Sequence, residues 1–251
     1  GPIRSASDFA DHCKNLPPLE FFARPILRKR GAMVLFGDTG ARKSSVMLKA
    51  AWQLAKGDDA LGCPNELGNA RVLLLDGENG EDILNDRLRT LGGSYWQTIA
   101  KDNLFIRPIN GDFHFSARKD HDTDLDWLRV NIKVYQIDIV ILDSIQNFFV
   151  GDENSASEVR PALDKLKRAC GDATLILIHH VNKTTGSTGS GRMRGSTTFA
   201  DFADTVTELR KKSELISILT FNKVRLGSPP PPLEIRGDIL SADFKVVARS
   251  N

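Results

Sequence analysis

Gly37-Asp38-Thr39-Gly40-Ala41-Arg42-Lys43-Ser44-Ser45 lies between an apolar run, Ala32-Met33-Val34-Leu35-Phe36, and a helical pattern from Val46 to Lys56. Strand, glycine-bearing loop, Lys-Ser and helix is the context in which a P-loop motif acquires physical meaning. Loop N–H groups pointing inward, with the positive end of the following helix dipole, make a phosphate cradle. Lys43 is placed to reach the phosphates as a mobile charge, and Ser44 to offer its hydroxyl to Mg²⁺. One position departs from the pattern G-x-x-x-x-G-K-[ST]: Arg42 stands where glycine is expected. Glycine there tolerates unusual backbone angles and lets the chain come close to phosphate. Arginine adds bulk and a Cβ.

Downstream, two apolar runs end in acids. Ala70 to Asp76 reads as a strand buried on both faces, followed by Gly77-Glu78-Asn79-Gly80 and a helix from Glu81 to Leu91 with Ile83, Leu84, Leu88 and Leu91 on one side. Acids just past a strand's carboxyl end lie where open α/β sheets place their ligands, so Glu78 is a candidate general base for water or, alternatively, a helix-capping acid. Ile137 to Ser144 is a second such strand, and Asp143 at its end has the Walker B character of a magnesium-holding carboxylate. Ala173 to Ile178 is a third buried strand, ending in His179-His180. These histidines read either as polar caps of the strand or as a sensor facing the terminal phosphate; without nearby cysteines or spaced acids they are poor metal ligands. The Gly/Ser-rich stretch that follows carries Lys183, Arg192 and Arg194. It suits a solvated linker or a mobile loop gripping the phosphates of a nucleic acid strand.

Elsewhere the helices expected are Ser7 to Lys14, Asp124 to Tyr135 and Ala156 to Cys170, and the chain ends in β structure. Thr205 to Arg210 and Leu215 to Asn222 form a hairpin candidate; Pro229 to Pro232 separate it from short strands near Leu233 to Arg236 and Asp243 to Ala248. Residues 1–31 read as an amino-terminal arm that packs on its own domain or docks on a neighbouring subunit. Gly1-Pro2 has the look of a protease-cleavage scar. The expected division is this arm followed by one α/β domain over residues 32–251, a mostly parallel central sheet flanked by helices with carboxyl-terminal antiparallel strands.

Composition sets the bounds. With 251 residues, 41% hydrophobic and 26% charged, the chain can bury one substantial core. A net charge of +2 gives no bulk argument for nucleic acid, so any basic surface must be local. Three cysteines, Cys13, Cys63 and Cys170, without C-x-x-C spacing fit a reducing cytoplasm and suggest no zinc site. No run of about 18 apolar residues suggests a membrane span.

Taken in order, these motifs resemble those of the RecA-like ATPases, and among them the RepA-type hexameric helicases related to the DnaB helicase core. The resemblance rests on Gly37 to Ser45, Leu75-Asp76-Gly77-Glu78, Val140 to Ser144, Ile178 to Lys183, and Arg194-Gly195-Ser196 with Asp201 and Asp204. Lys223-x-Arg225-x-Gly227 is similar to the family's finger pair. The resemblance implies ATP and Mg²⁺ as cofactors, with the loop from Gly37 to Ser45 holding the nucleotide. Ser44 and Asp143 would hold the metal, Glu78 would polarise water, and His179 or His180 would sense phosphate. Arg225, with Lys223, would reach a neighbour's site, which implies a homohexamer. Lys183, Arg192 and Arg194 would face single-stranded DNA, and a primase or initiator protein is a possible further partner. Arg42 keeps hydrolysis an open expectation: a natural change, an inactivating substitution, or a side chain that swings away. The function the resemblance implies is an ATP-dependent DNA helicase or translocase motor of a plasmid, phage or mobile element, acting as a ring with ATP sites between subunits. The alternatives are a nucleotide-binding regulatory or assembly module with impaired hydrolysis and a RecA- or KaiC-like ATPase.

Overall fold

The computed structural model describes residues 2–180, 197–238 and 243–248. From the amino end, α1 (Ala6–Cys13) precedes a small antiparallel pair, β1 (Phe21–Ala23) and β2 (Leu27–Arg28). The body then runs β3 (Ala32–Gly37), α2 (Lys43–Lys56), β4 (Val72–Asp76), α3 (Glu81–Gly92), α4 (Trp96–Ile99), β5 (Leu104–Pro108), α5 (Asp122–Val134), β6 (Ile139–Asp143), α6 (Ala156–Cys170), β7 (Thr174–His180) and α7 (Thr198–Phe202). Four strands close the chain: β8 (Thr205–Ser213), β9 (Ile216–Val224), β10 (Leu233–Asp238) and β11 (Asp243–Ala248).

All but β1 and β2 join one sheet in the order β11-β10-β9-β8-β3-β7-β6-β4-β5. From β8 to β5 every pairing is parallel; β8 to β11 pair antiparallel. The central strands are continuous Val/Ile/Leu/Met/Phe runs because both faces are covered. Alternation divides them cleanly. Met33, Leu35, Leu74, Ile141 and Ile176 pack with α2 and α3 residues on one face, whereas Val34, Phe36, Leu75, Leu142 and Leu177 pack with α5, α6 and α7 residues on the other. Within α3, Leu84 and Leu88 are buried but Ile83 is 46% exposed, since the helix phase turns it outward, contrary to the expected stripe.

Residues 21–28 are part of this body: Phe22, Ala23, Ile26 and Leu27 are buried in the same core as α2. By contrast, α1 buries no residue. The hairpin expected near residues 205–222 forms, but its first strand also pairs parallel with β3, which carries the sheet past the P-loop.

Between β3 and β7 the strand order reverses, since the chain leaving β3 crosses over to β4 beyond β7 and β6. The carboxyl ends on either side of such a reversal form a crevice. Register aligns what the crevice contains. Gly37 lies beside His180 and Leu209, and Asp76 lies beside Asp143. Among the described residues no helix is long and apolar enough to cross a membrane.

Candidate active site

The loop after β3 is shaped by three backbone demands. A Cβ on Gly37 would fall 2.2 Å from the Leu209 carbonyl oxygen, so glycine lets β3 lie against β8. Gly40 has φ +79°, with open space around the missing Cβ. Arg42, at the start of α2, also takes a left-handed conformation, φ 70° and ψ 33°. That is the conformation for which the motif's glycine is suited. The guanidinium of Arg42 leaves the loop altogether: Nη1 donates to the Glu214 carbonyl and Nη2 to Glu214 Oε2 at 3.0 Å. Glu214 lies in the turn between β8 and β9. Of the three readings of Arg42, the structure has the side chain swung away.

Lys43 begins α2 and is only 5% exposed. Its Nζ donates to the Gly37 and Asp38 carbonyls at 3.0 and 3.2 Å and lies 3.3 Å from His180 Nδ1. His180 Nε2 is 2.8 Å from Glu78 Oε1. Lysine can only donate, so Nδ1 accepts and Nε2 carries the proton given to Glu78. The result is a hydrogen-bond chain, Lys43 to His180 to Glu78, across the crevice. The bond from His180 is the largest cause holding the Glu78 carboxyl below its usual range, and the Lys43 ammonium adds to it. Burial pulls the Lys43 pKa down, while Glu78, Asp143 and Asp38 pull it back.

Behind this chain sit two buried aspartates. Asp76 Oδ1 accepts the N–H groups of Glu78 and Asn79 at 2.9 and 2.8 Å, and the Asn79 side-chain amide donates to Oδ2 at 2.9 Å. Asp76 therefore builds the turn that presents Glu78. The Gly77 N–H donates to the Asp143 carbonyl at 2.6 Å and the Asn147 amide to the Gly77 carbonyl at 3.1 Å, fastening this turn to the end of β6. Sequence reasoning assigned no role to Asp76, Asn79, Asn147 or Glu214; an Asx-type turn signal at Asp76-Gly77-Glu78-Asn79 could have found the first two.

Asp143 is 2% exposed, and its Oδ1 has no hydrogen-bond partner among the described residues. Burial first, then the nearby Asp76 and Glu78, push its carboxyl well above the usual range, with Ser44 and Lys43 acting the other way. An orphaned carboxylate oxygen beside a serine hydroxyl is a donor set that suits a hard divalent cation such as Mg²⁺. The expected metal pair, Ser44 and Asp143, is thus brought together.

Other expected residues fall elsewhere. His179 faces away from the crevice, its ring against Phe199 at 4.5 Å, because neighbours on a strand alternate; the two histidines belong to β7 rather than following it. Lys223 Nζ donates to the Ala200 and Ala203 carbonyls, both at 2.7 Å, holding the end of α7. Arg225, half exposed, lies 3.3 Å from Asp204. Lys183, Arg192 and Arg194 lie outside the described residues.

A mostly parallel sheet with a strand-loop-helix phosphate cradle at its reversal point, and acids at the ends of β4 and β6, defines a P-loop ATPase domain of RecA-like fold. Residues 3–186 match the AAA domain family, and the chain belongs to it. It is 27% identical over 206 residues to the DNA repair protein RadA of Listeria monocytogenes, covering 79% of this chain. The chain spans only 37% of that relative's length. The ATPase domain of G40P superposes with a TM-score of 0.64 at 15% identity, over 88% of this chain and 86% of that one, which is a likeness of fold.

Proposed function

We propose that this chain is an ATP-hydrolysing motor domain that moves on single-stranded DNA, working as a head-to-tail ring with nucleotide sites between subunits. The observation that carries the proposal is the chain Lys43–His180–Glu78 lying over the buried Asp143 at one end of the sheet. Lys43, released from the Gly37 and Asp38 carbonyls, would hold the phosphates with the loop N–H groups from Gly37 to Ser45. Ser44 and Asp143 would hold Mg²⁺, which when bound supplies charge neutralisation of the phosphates. Glu78, kept ionised, would orient water and accept its proton. His180 joins the two groups that would meet the terminal phosphate and the water, so it would carry their state into β7 and the segment beyond it. Arg225 would act in trans on a neighbour's site, which is the reason for proposing a ring. DNA as partner is supported by the similarity to RadA, a DNA repair protein.

ATP turnover with and without single-stranded DNA tests this, on the parent chain, Arg42→Gly and Glu78→Gln. DNA-stimulated turnover is expected in the parent and in Arg42→Gly. Glu78→Gln should lose about a hundredfold or more while still binding nucleotide. A silent parent with an active glycine variant would mean a motor fold disabled at its phosphate loop. Silence in both would replace the motor with a nucleotide-binding or assembly module.

A further inference from the structure

Away from the nucleotide crevice, the segment between β5 and α5 gathers a second set of metal-ligating side chains. His114 comes from the irregular stretch, His121 from the turn just before α5, and Asp124 from the first turn of that helix. One ligand atom from each lies within 4.8 Å of the others, and all three residues are half-buried. The imidazole rings stand 5.6 Å apart, tilted by 49°. Asp124 Oδ2 accepts the backbone N–H of His114 at 2.9 Å. That bond fixes the histidine's backbone beside the acid.

We propose that His114, His121 and Asp124 form a binding site for a borderline divalent cation of the Zn²⁺ type. Two imidazoles and one carboxylate suit Zn²⁺ and disfavour Mg²⁺, which demands oxygen ligands in octahedral array. Tetrahedral coordination needs donor atoms about 3.3 Å apart, so the side chains close inward by small rotations on binding. His121 also lines a cavity of about 240 Å³ with Arg118, Asp120 and Glu158. The ion would brace a stretch that has little regular structure. That stretch is already fastened to the chain following β6: the Phe115 N–H donates to the Phe148 carbonyl at 2.8 Å and the Val150 N–H to the Phe115 carbonyl at 2.9 Å. A cation here would therefore stiffen the flank of the segment that carries Asp143. The site was invisible to motif reading because its spacing matches no common zinc pattern, and the sequence reading foresaw no zinc site at all.

The test uses the untagged chain, stripped with chelator, titrated with Co²⁺ and followed by visible absorption, with melting measured in parallel against Zn²⁺. One equivalent per chain is expected to saturate a visible band that millimolar Mg²⁺ does not displace, and Zn²⁺ should raise the melting temperature by mass action. His114→Gln and His121→Gln should each weaken binding by more than about tenfold. Asp124→Asn retains an acceptor for the His114 N–H, so it should melt like the parent without metal yet lose the Zn²⁺ shift. No saturable binding in the parent overturns the proposal. Equal binding in the double histidine variant also overturns it, by placing the ion elsewhere, at the cysteines or the nucleotide crevice.

Discussion

At the scale of single residues, Arg42 and Asp143 show opposite compromises. Arg42 holds a left-handed backbone that costs a non-glycine residue about 1 kcal/mol, and its guanidinium recovers some of this at Glu214. Substituting alanine or glycine removes the same Glu214 contacts, but only glycine relieves the backbone. Arg42→Gly is therefore expected to be about 1 kcal/mol more stable than Arg42→Ala in denaturant melts, and equal midpoints would contradict the strain argument. Asp143 is a buried acid with an unpartnered oxygen, which is unfavourable without the proposed cation. Asp143→Asn should melt higher than the parent without nucleotide, by about 0.5–2 kcal/mol, and should fail to gain further stability from Mg²⁺ with ATP. A lower melting temperature would show that the carboxylate's contact with Ser44 outweighs the cost of its unpartnered oxygen.

At the scale of elements, the two loop glycines serve different ends. Gly37 is the last residue of β3 and needs its missing Cβ because β8 passes so close; Gly40 needs only its positive φ. Gly37→Ala should push β8 away and cost about 1–3 kcal/mol, with β3–β8 amides exchanging faster. Gly40→Ala, with open space at the Cβ, should cost only about 1 kcal/mol. If both variants melted alike, the close approach would not be what selects glycine at position 37. The same passage of β8 brings Glu214 over the loop, so the turn between β8 and β9 and the start of α2 are expected to move together.

For the whole molecule, the proposed ring makes a prediction that no single-chain defect mimics. Arg225→Ala keeps Glu78, and Glu78→Gln keeps Arg225, so each variant alone should be nearly inactive. Mixed in equal amounts, about a quarter of interfaces would carry both intact groups if assembly is random and head-to-tail. Partial recovery of turnover on mixing is the expected result. No recovery, with light scattering reporting monomers, would place Arg225 in service of its own chain, where it already meets Asp204.

The sequence by itself determined the order of strands and helices along the chain, because runs such as Ile139–Asp143 and the apolar stripe of α6 encode burial locally. It also singled out Lys43, Ser44, Glu78, Asp143 and the His179-His180 pair, since a phosphate cradle and strand-end acids carry short-range signatures. Only the tertiary structure decided which histidine faces the crevice, because strand alternation fixes faces but not which face meets the ligand. Arg42 turning to Glu214 and Lys223 turning to the carbonyls that end α7 were likewise set by contacts between elements. Such contacts depend on register and packing across the sheet, which no local pattern records.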